Sequence, residues 1–281
     1  MTTGAAAGQL EVLWRGVGSL PPFPVAAAKV LELIGANAEI HDVAAALETD
    51  AALAASVLAR ANSARHRGQE SARSVREAAH RLGPKLVATT TVLASSGRYF
   101  RAGSDLDPRA ADYLWYAALV QALAGEYAAE RAAGVATASA YTAGLLADIS
   151  RLVVFRALPH AVASIRAGVL AGEDACAAEA RVLGVDHAEL SARMLEEWHL
   201  PRALVDAVRH HHADGAAAAT DPALARVAAE GARLAAATIL ASTAQAEWQW
   251  LVTPRPEAAS LRKAVAEVVQ RLRATTEMLD G

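Results

Sequence analysis

Apolar positions along this chain recur at intervals of three and four residues, and the strict alternation of a half-buried strand is nearly absent. The pattern predicts an all-α protein. A first helix covers 23–35, entered through "LPPFP" and closed at Gly35, with Val30, Leu33 and Ile34 on one face. Asp42 and Asp50 are the expected N-caps of the next two helices, "VAAALET" and "AALAASVLARAN". Ser74 and Glu77 have the S-x-x-E spacing of a capping box, which opens "VREAAHRLG". Gly83-Pro84 interrupts that helix before another over 85–97.

The stretch "GRYFRAGSDLDP", 97–108, breaks the periodicity and ends in an N-cap Asp107 followed by Pro108, so it is the expected internal boundary. Helices are then predicted over 109–132, 138–157, 160–171, 173–183, 187–198, 202–212, 222–244 and 257–279. The last carries Leu261, Val265, Val268, Val269 and Leu272 at helical spacing. That stripe serves either as a seam for packing back onto the domain, the favoured reading, or as a short homodimer seam.

Composition narrows the picture. Hydrophobic residues make up 54% of the 281 positions and aromatics only 5%, so the core is built from Ala, Leu and Val and its helices can approach closely. A net charge of −3 argues against a surface wholly adapted to nucleic acid or acidic membranes. The lone cysteine, Cys176, allows no intramolecular disulfide and, with alanines on both sides, reads as a packing residue. The opening "MTTGAAAGQLEVLWRG" lacks a basic start and a long apolar core, so no signal peptide is expected. The Ala-rich run 227–243 is broken by Glu230, Arg233 and Thr238, so it is not expected to span a membrane. The cytoplasm is the expected location.

Charge is uneven. Between Arg60 and Lys85 stand seven Lys or Arg against two acids. Arg65, Arg67, Arg73 and Arg76 form a candidate anion patch. A solvated face is the plainer reading, because no aromatic interleaving and no groove-reading motif accompany the charges.

Five segments, "LPPFPVAAAKVLELI", "ALETDAALAASVLARANSA", "SVREAAHRLG", "GLLADISRLVV" and "VDHAELSARMLEEWHLPRALVDAVRHHH", follow one another in the order and spacing of the HDOD family, the HD-related output domains of bacterial signalling proteins. The resemblance covers roughly 19–216. It implies an N-terminal helical lobe over 19–105 packed on an HD-like lobe over 106–216. A leader, 1–18, would precede them, and C-terminal helices, 217–281, would complete or flank the second lobe. It also implies a regulatory role without established catalysis. One departure follows "ANSA", where members resemble each other in having aromatics and a glycine; this chain has Arg65, His66 and Arg67 before Gly68.

An HD metal core needs a His from one helix, an adjacent His-Asp pair from a second, and an Asp from a later one. Carried over by the resemblance, Ala117 stands at the first His, Ala147 at the His of the pair and Ala232 at the closing Asp, while Asp148 keeps its place. Gly144, Ala147, Asp148 and Arg151 are expected on one helix face. Arg151 would then repel a cation there, so neither a metal nor another cofactor is expected. His187 and the run His210, His211 and His212 match later histidines of HD enzymes. They read either as helix-terminus residues or as remnants of a ligand cleft. Asp148 must have a partner, with Arg151 at i+3 and the histidines as candidates.

The expected function is a non-catalytic regulatory module that binds a signalling protein. The alternative is a sensor holding a nucleotide second messenger or other anion in the vacated cleft, through Asp148, Arg151, His187, His210 and His211. Nucleic-acid binding by 60–85 is the weakest reading, and no membrane partner is expected.

Overall fold

The structure is a computed structural model that describes residues 8, 11–15, 24–63, 71–101, 107–212, 218–242, 246–252 and 261–280; among them every regular element is helical. The N-terminal part comprises α1 (Val25–Gly35), α2 (Ile40–Glu48), α3 (Ala51–Ala61) and α4 (Val75–Arg101). Helix α1 buries Ala27, Val30, Leu31 and Ile34, so its inward stripe is rotated slightly from the expected face and Leu33 sits at its edge.

Asp50 caps α3 as the sequence predicts, accepting from the N–H groups of Ala52 (2.9 Å) and Leu53 (3.1 Å). Asp42 is not a cap. Helix α2 begins three residues earlier because Ile40 is drawn against the core, and Asp42 lies in its first turn, where the carboxylate still meets the positive end of the dipole. At α4, Ser74 Oγ accepts from Glu77 N–H (3.1 Å), and Glu77 reaches back to Arg73 N–H (2.7 Å), one residue beyond the expected box. Gly83 kinks α4 at φ 71°, a conformation suited to glycine, just before Pro84.

The second part is built around α5 (Pro108–Ala129), which packs on α6 (Thr137–Leu146) and α12 (Pro222–Ala241). Small residues set that approach. A Cβ added at Gly144 would lie 2.4 Å from Gln121 O, and one at Gly231 would lie 2.7 Å from Gly125 Cα. Around this trio run α7 (Ile149–Ala157), α8 (Pro159–Leu170), α9 (Ala175–Leu183), α10 (His187–Glu197) and α11 (Arg202–Arg209). One apolar cluster continues from Val30 and Leu53 through Leu123 and Leu145 to Leu272. The Thr89 and Tyr141 hydroxyls, 2.6 Å apart, link α4 to α6.

Three expectations change here. The single helix expected over 138–157 is two, because the chain leaves the helix at Ala147 and Asp148, and Asp148 (φ −104°, ψ 16°) turns its carboxylate inward. Gly144, Ala147, Asp148 and Arg151 therefore do not share one helix face: Gly144 packs on α5, while Asp148 marks a corner. Residues 137–157 are also long and apolar enough to cross a membrane by composition (mean hydropathy 1.2 over an 18-residue window), yet 67% of that window is buried in the core. Helix α11 ends at Arg209, leaving His210, His211 and His212 in a turn.

Beyond α12 a 3-10 turn, Ala246–Leu251, was not foreseen. It places Trp248 against Tyr113, and Trp250 against Phe155. The last helix, α13 (Arg262–Asp280), lies on α5 and α12 with Val268, Leu272 and Thr275 buried, so much of the stripe weighed as a dimer seam is spent inside the chain.

Candidate functional site

A cleft of about 240 Å³ opens between α5, α12 and the corner at Asp148. Ala117 and Ala232 line it together with Asp148, Arg151, His187 and His212. Ala147 is buried beside it, 1% exposed. Its lining runs from Tyr113 to Val252, so chain positions up to 139 residues apart in the sequence share one cavity.

Its floor is a buried charge cluster. Arg151, 5% exposed, donates from Nη1 to Asp148 Oδ2 (3.0 Å) and from Nε to Glu179 Oε1 (3.3 Å). Glu179 Oε2 accepts the backbone N–H of His187 (3.0 Å) and meets its Nδ1 at 2.5 Å. Burial pushes both carboxyls up, but the cations overcome it. Arg151 and His187 hold Asp148 well below the usual carboxylate range, and His187 and Arg151 bring Glu179 down to about 2. Burial and Arg151 oppose charge on His187, yet Glu179 and Asp148 raise it well above the ordinary imidazole value. Two carboxylates therefore face two cations inside the protein.

Glu179 escaped the sequence reading, although it lies on the inward stripe Ala175, Ala178, Glu179, Val182 of α9. An acid on an apolar stripe was the available signal, since such a group needs a buried partner.

Above this floor three histidines converge. His187 Nε2 lies 3.2 Å from Asp148 Oδ1 and 2.9 Å from His212 Nε2. His211 Nε2 lies 3.4 Å from the same Oδ1, while its Nδ1 bonds the carbonyl of Val208 (2.6 Å). Asp148 Oδ1 and His211 Nε2 are nevertheless buried without a hydrogen-bond partner. His212 stands at the exposed mouth. Burial of its inner edge, with His211 and His187 nearby, holds it well below the usual imidazole value. His210, the C-cap of α11, is not brought into the group.

The ligand-type atoms of Asp148, His187, His211 and His212 all lie within 4.8 Å of one another, as do those of Cys176, Glu179 and His187. Cys176 lines the cleft and is only partly buried, so packing is not its whole setting. Asp206, also missed from sequence, is buried under Arg209 (3.3 Å) and accepts from both N–H (2.9 Å) and Oγ1 (2.6 Å) of Thr220, fastening the chain on either side of the histidine turn.

The basic segment is less uniform than its composition suggests. Arg65 and Arg67 lie outside the described residues. Lys85 pairs with Glu126 (2.7 Å), and Arg81 donates to Ala61 O (3.2 Å), while Arg73 and Arg76 are exposed.

The family model of the HDOD domain matches residues 20–214. No protein of curated function matches the sequence. Among solved structures, an HDOD domain protein of unknown function from Geobacter sulfurreducens is 21% identical and superposes with a TM-score of 0.64, covering 95% of this chain and 97% of that one. A Marinobacter aquaeolei protein provisionally named for signal transduction is 21% identical, with a TM-score of 0.69 over 98% of this chain and 66% of its own. A Shewanella amazonensis protein provisionally named a phosphohydrolase is 23% identical, with a TM-score of 0.64 over 95% and 98%. At these identities the structural likeness establishes a shared fold, and the family match extends over most of the sequence: the chain belongs to the HDOD family.

Proposed function

We propose that the protein is a non-catalytic regulatory module that acts in the cytoplasm by binding a signalling protein through its helical surfaces. One observation carries this reading. The cleft that corresponds to an HD centre presents methyl groups at Ala117 and Ala232, with Ala147 buried at its side, where that chemistry needs two imidazoles and a carboxylate. Asp148, the one remaining member, is already held by Arg151. The residues present do not fit the HD core. The provisional signal-transduction name of the Marinobacter aquaeolei neighbour is in keeping with this reading.

The anion-sensing alternative is weaker, because Arg151, the cation it relies on, is paired with two carboxylates. Assays against phosphomonoesters and cyclic dinucleotides with Mg²⁺, Mn²⁺, Fe²⁺ or Zn²⁺ are expected to give no turnover. Turnover abolished by Asp148→Ala would overturn the proposal. Micromolar binding of a cyclic dinucleotide or guanosine polyphosphate, lost in Arg151→Ala, would favour the sensor instead.

A further inference from the structure

We infer that Asp148, His187, His211 and His212 form a binding site for one divalent transition-metal ion of the zinc class, closed by four protein ligands. Of the His, His-Asp pair and closing Asp that make the HD core the site keeps only Asp148, while its histidines stand at positions that match later histidines of HD enzymes; the inference does not depend on the regulatory reading above.

The distances come first. Zinc bonds of about 2.0 to 2.2 Å in a tetrahedron separate the ligand atoms by about 3.3 to 3.5 Å. Three separations here are 2.9 Å (His187 Nε2 to His212 Nε2), 3.2 Å (His187 Nε2 to Asp148 Oδ1) and 3.4 Å (His211 Nε2 to Asp148 Oδ1). These three lie near the spacing of a coordination shell, and all four ligand atoms lie within 4.8 Å of one another, so closure around an ion asks for adjustment by side chains at helix ends.

The second observation concerns what these atoms lack. His211 is 1% exposed and its Nε2 has no hydrogen-bond partner, and the same holds for Asp148 Oδ1. Buried polar atoms without partners are rare and point to an absent ion or water. Here two such atoms converge on one point.

A third observation is the ring of groups behind the ligands. The Val208 carbonyl accepts from His211 Nδ1, so the proton sits there and the Nε2 lone pair faces inward. Glu179 Oε2 likewise accepts from His187 Nδ1, so an ion taken up at Nε2 would release the proton that this imidazolium carries there. Arg151 binds Asp148 Oδ2, leaving Oδ1 to face the histidines. Metal-bound histidines are typically oriented by a carboxylate or a backbone carbonyl in this way. Arg151 lies on the far side of its neighbours, against Asp148 Oδ2 and His187 Nδ1. Its charge still opposes charge on His187 and His212, and the carboxylates of Asp148 and Glu179 offset it.

Donor chemistry selects the ion. Three imidazoles and one carboxylate suit zinc and its neighbours, whereas calcium and magnesium prefer oxygen shells. The second group, around Cys176, is not the site, because both oxygens of Glu179 are already taken by Arg151 and His187. Four protein ligands leave no open position, which makes the ion a structural one. It would tie the start of α7 and the start of α10 to the turn after α11.

The test uses the full chain, stripped with a chelator and titrated calorimetrically with ZnCl₂. One ion per chain is expected, with a rise in melting temperature on the order of 5 °C at saturating metal. Co²⁺ should give the visible absorption of a tetrahedral site. His212→Ala, at the exposed mouth and therefore tolerated by the fold, is expected to weaken binding at least about tenfold, as is Asp148→Asn. His160→Ala, on the exposed face of α8, should bind as the parent does. Absence of saturable binding at micromolar Zn²⁺, or binding unchanged in both His212→Ala and Asp148→Asn, would overturn the inference. Metal content is the readout, so this outcome is separate from any result with enzyme substrates or partners.

Discussion

Two arginines in this molecule each gather several carboxylates, in opposite surroundings. Arg151 binds Asp148 and Glu179 beneath the cleft, and Arg271 on α13 binds Glu130 (2.7 and 2.8 Å), Glu267 (3.1 Å) and Glu126 (3.3 Å) at the surface. By number and length of contacts the second cluster is the richer. Its members remain in touch with water, which already solvates them, so the net gain is small. Beneath the cleft water is excluded: the pairing there is an obligation, since each charge left alone would be stranded.

The largest expected effect breaks the buried cluster. Arg151→Ala should cost about 3 to 5 kcal/mol in urea unfolding of chelator-treated protein, because Asp148 and Glu179 lose their fixed cation. A loss under about 1 kcal/mol would show that the cleft behaves like the surface. Next comes acid. Glu179 sits at about 2 in the folded chain against an ordinary 4.5, so its contribution is complete above 4.5 and is lost as pH falls through about 2. The stability gap between the parent and Glu179→Gln should therefore narrow as pH falls across that window. A gap independent of pH would contradict the assignment. In metal-free protein His187 has the opposite sign: raised above 6.5, its contribution is present in acid and fades as pH rises through the folded value.

Arg271→Ala should cost no more than about 1 kcal/mol, read from the same melts. Smallest of all is the effect of salt. Raising ionic strength from 0.1 to 1 M shortens the screening length from about 10 to about 3 Å, so it should erase most of the Arg271 difference and leave the Arg151 difference nearly intact.

The two clusters also differ in how readily sequence discloses them. Asp107, Asp50 and the Ser74–Glu77 box act locally, and a local pattern is enough to read them. Pairing of Asp148 with Arg151 was legible as an i+3 relation. Glu179 was not, since it meets Arg151 across 28 residues and no pattern in α9 names its partner. The corner at Ala147 and Asp148 was hidden too, because apolar periodicity runs through it while the carboxylate's tertiary contacts draw the chain out of the helix. Likewise, the helical pattern over 202–212 concealed the turn that lets consecutive His211 and His212 both approach His187.

That turn and that corner have a kinetic consequence. The cleft is assembled from helix ends joined across 25, 28 and 36 residues, contacts that form only after the intervening helices have docked. Such contacts are expected to be absent from the rate-limiting step of folding, so replacing Arg151 or Glu179 should quicken unfolding and leave the refolding rate nearly unchanged. The charges beneath the cleft would then act as a latch on the finished fold, governing how long it lasts once made.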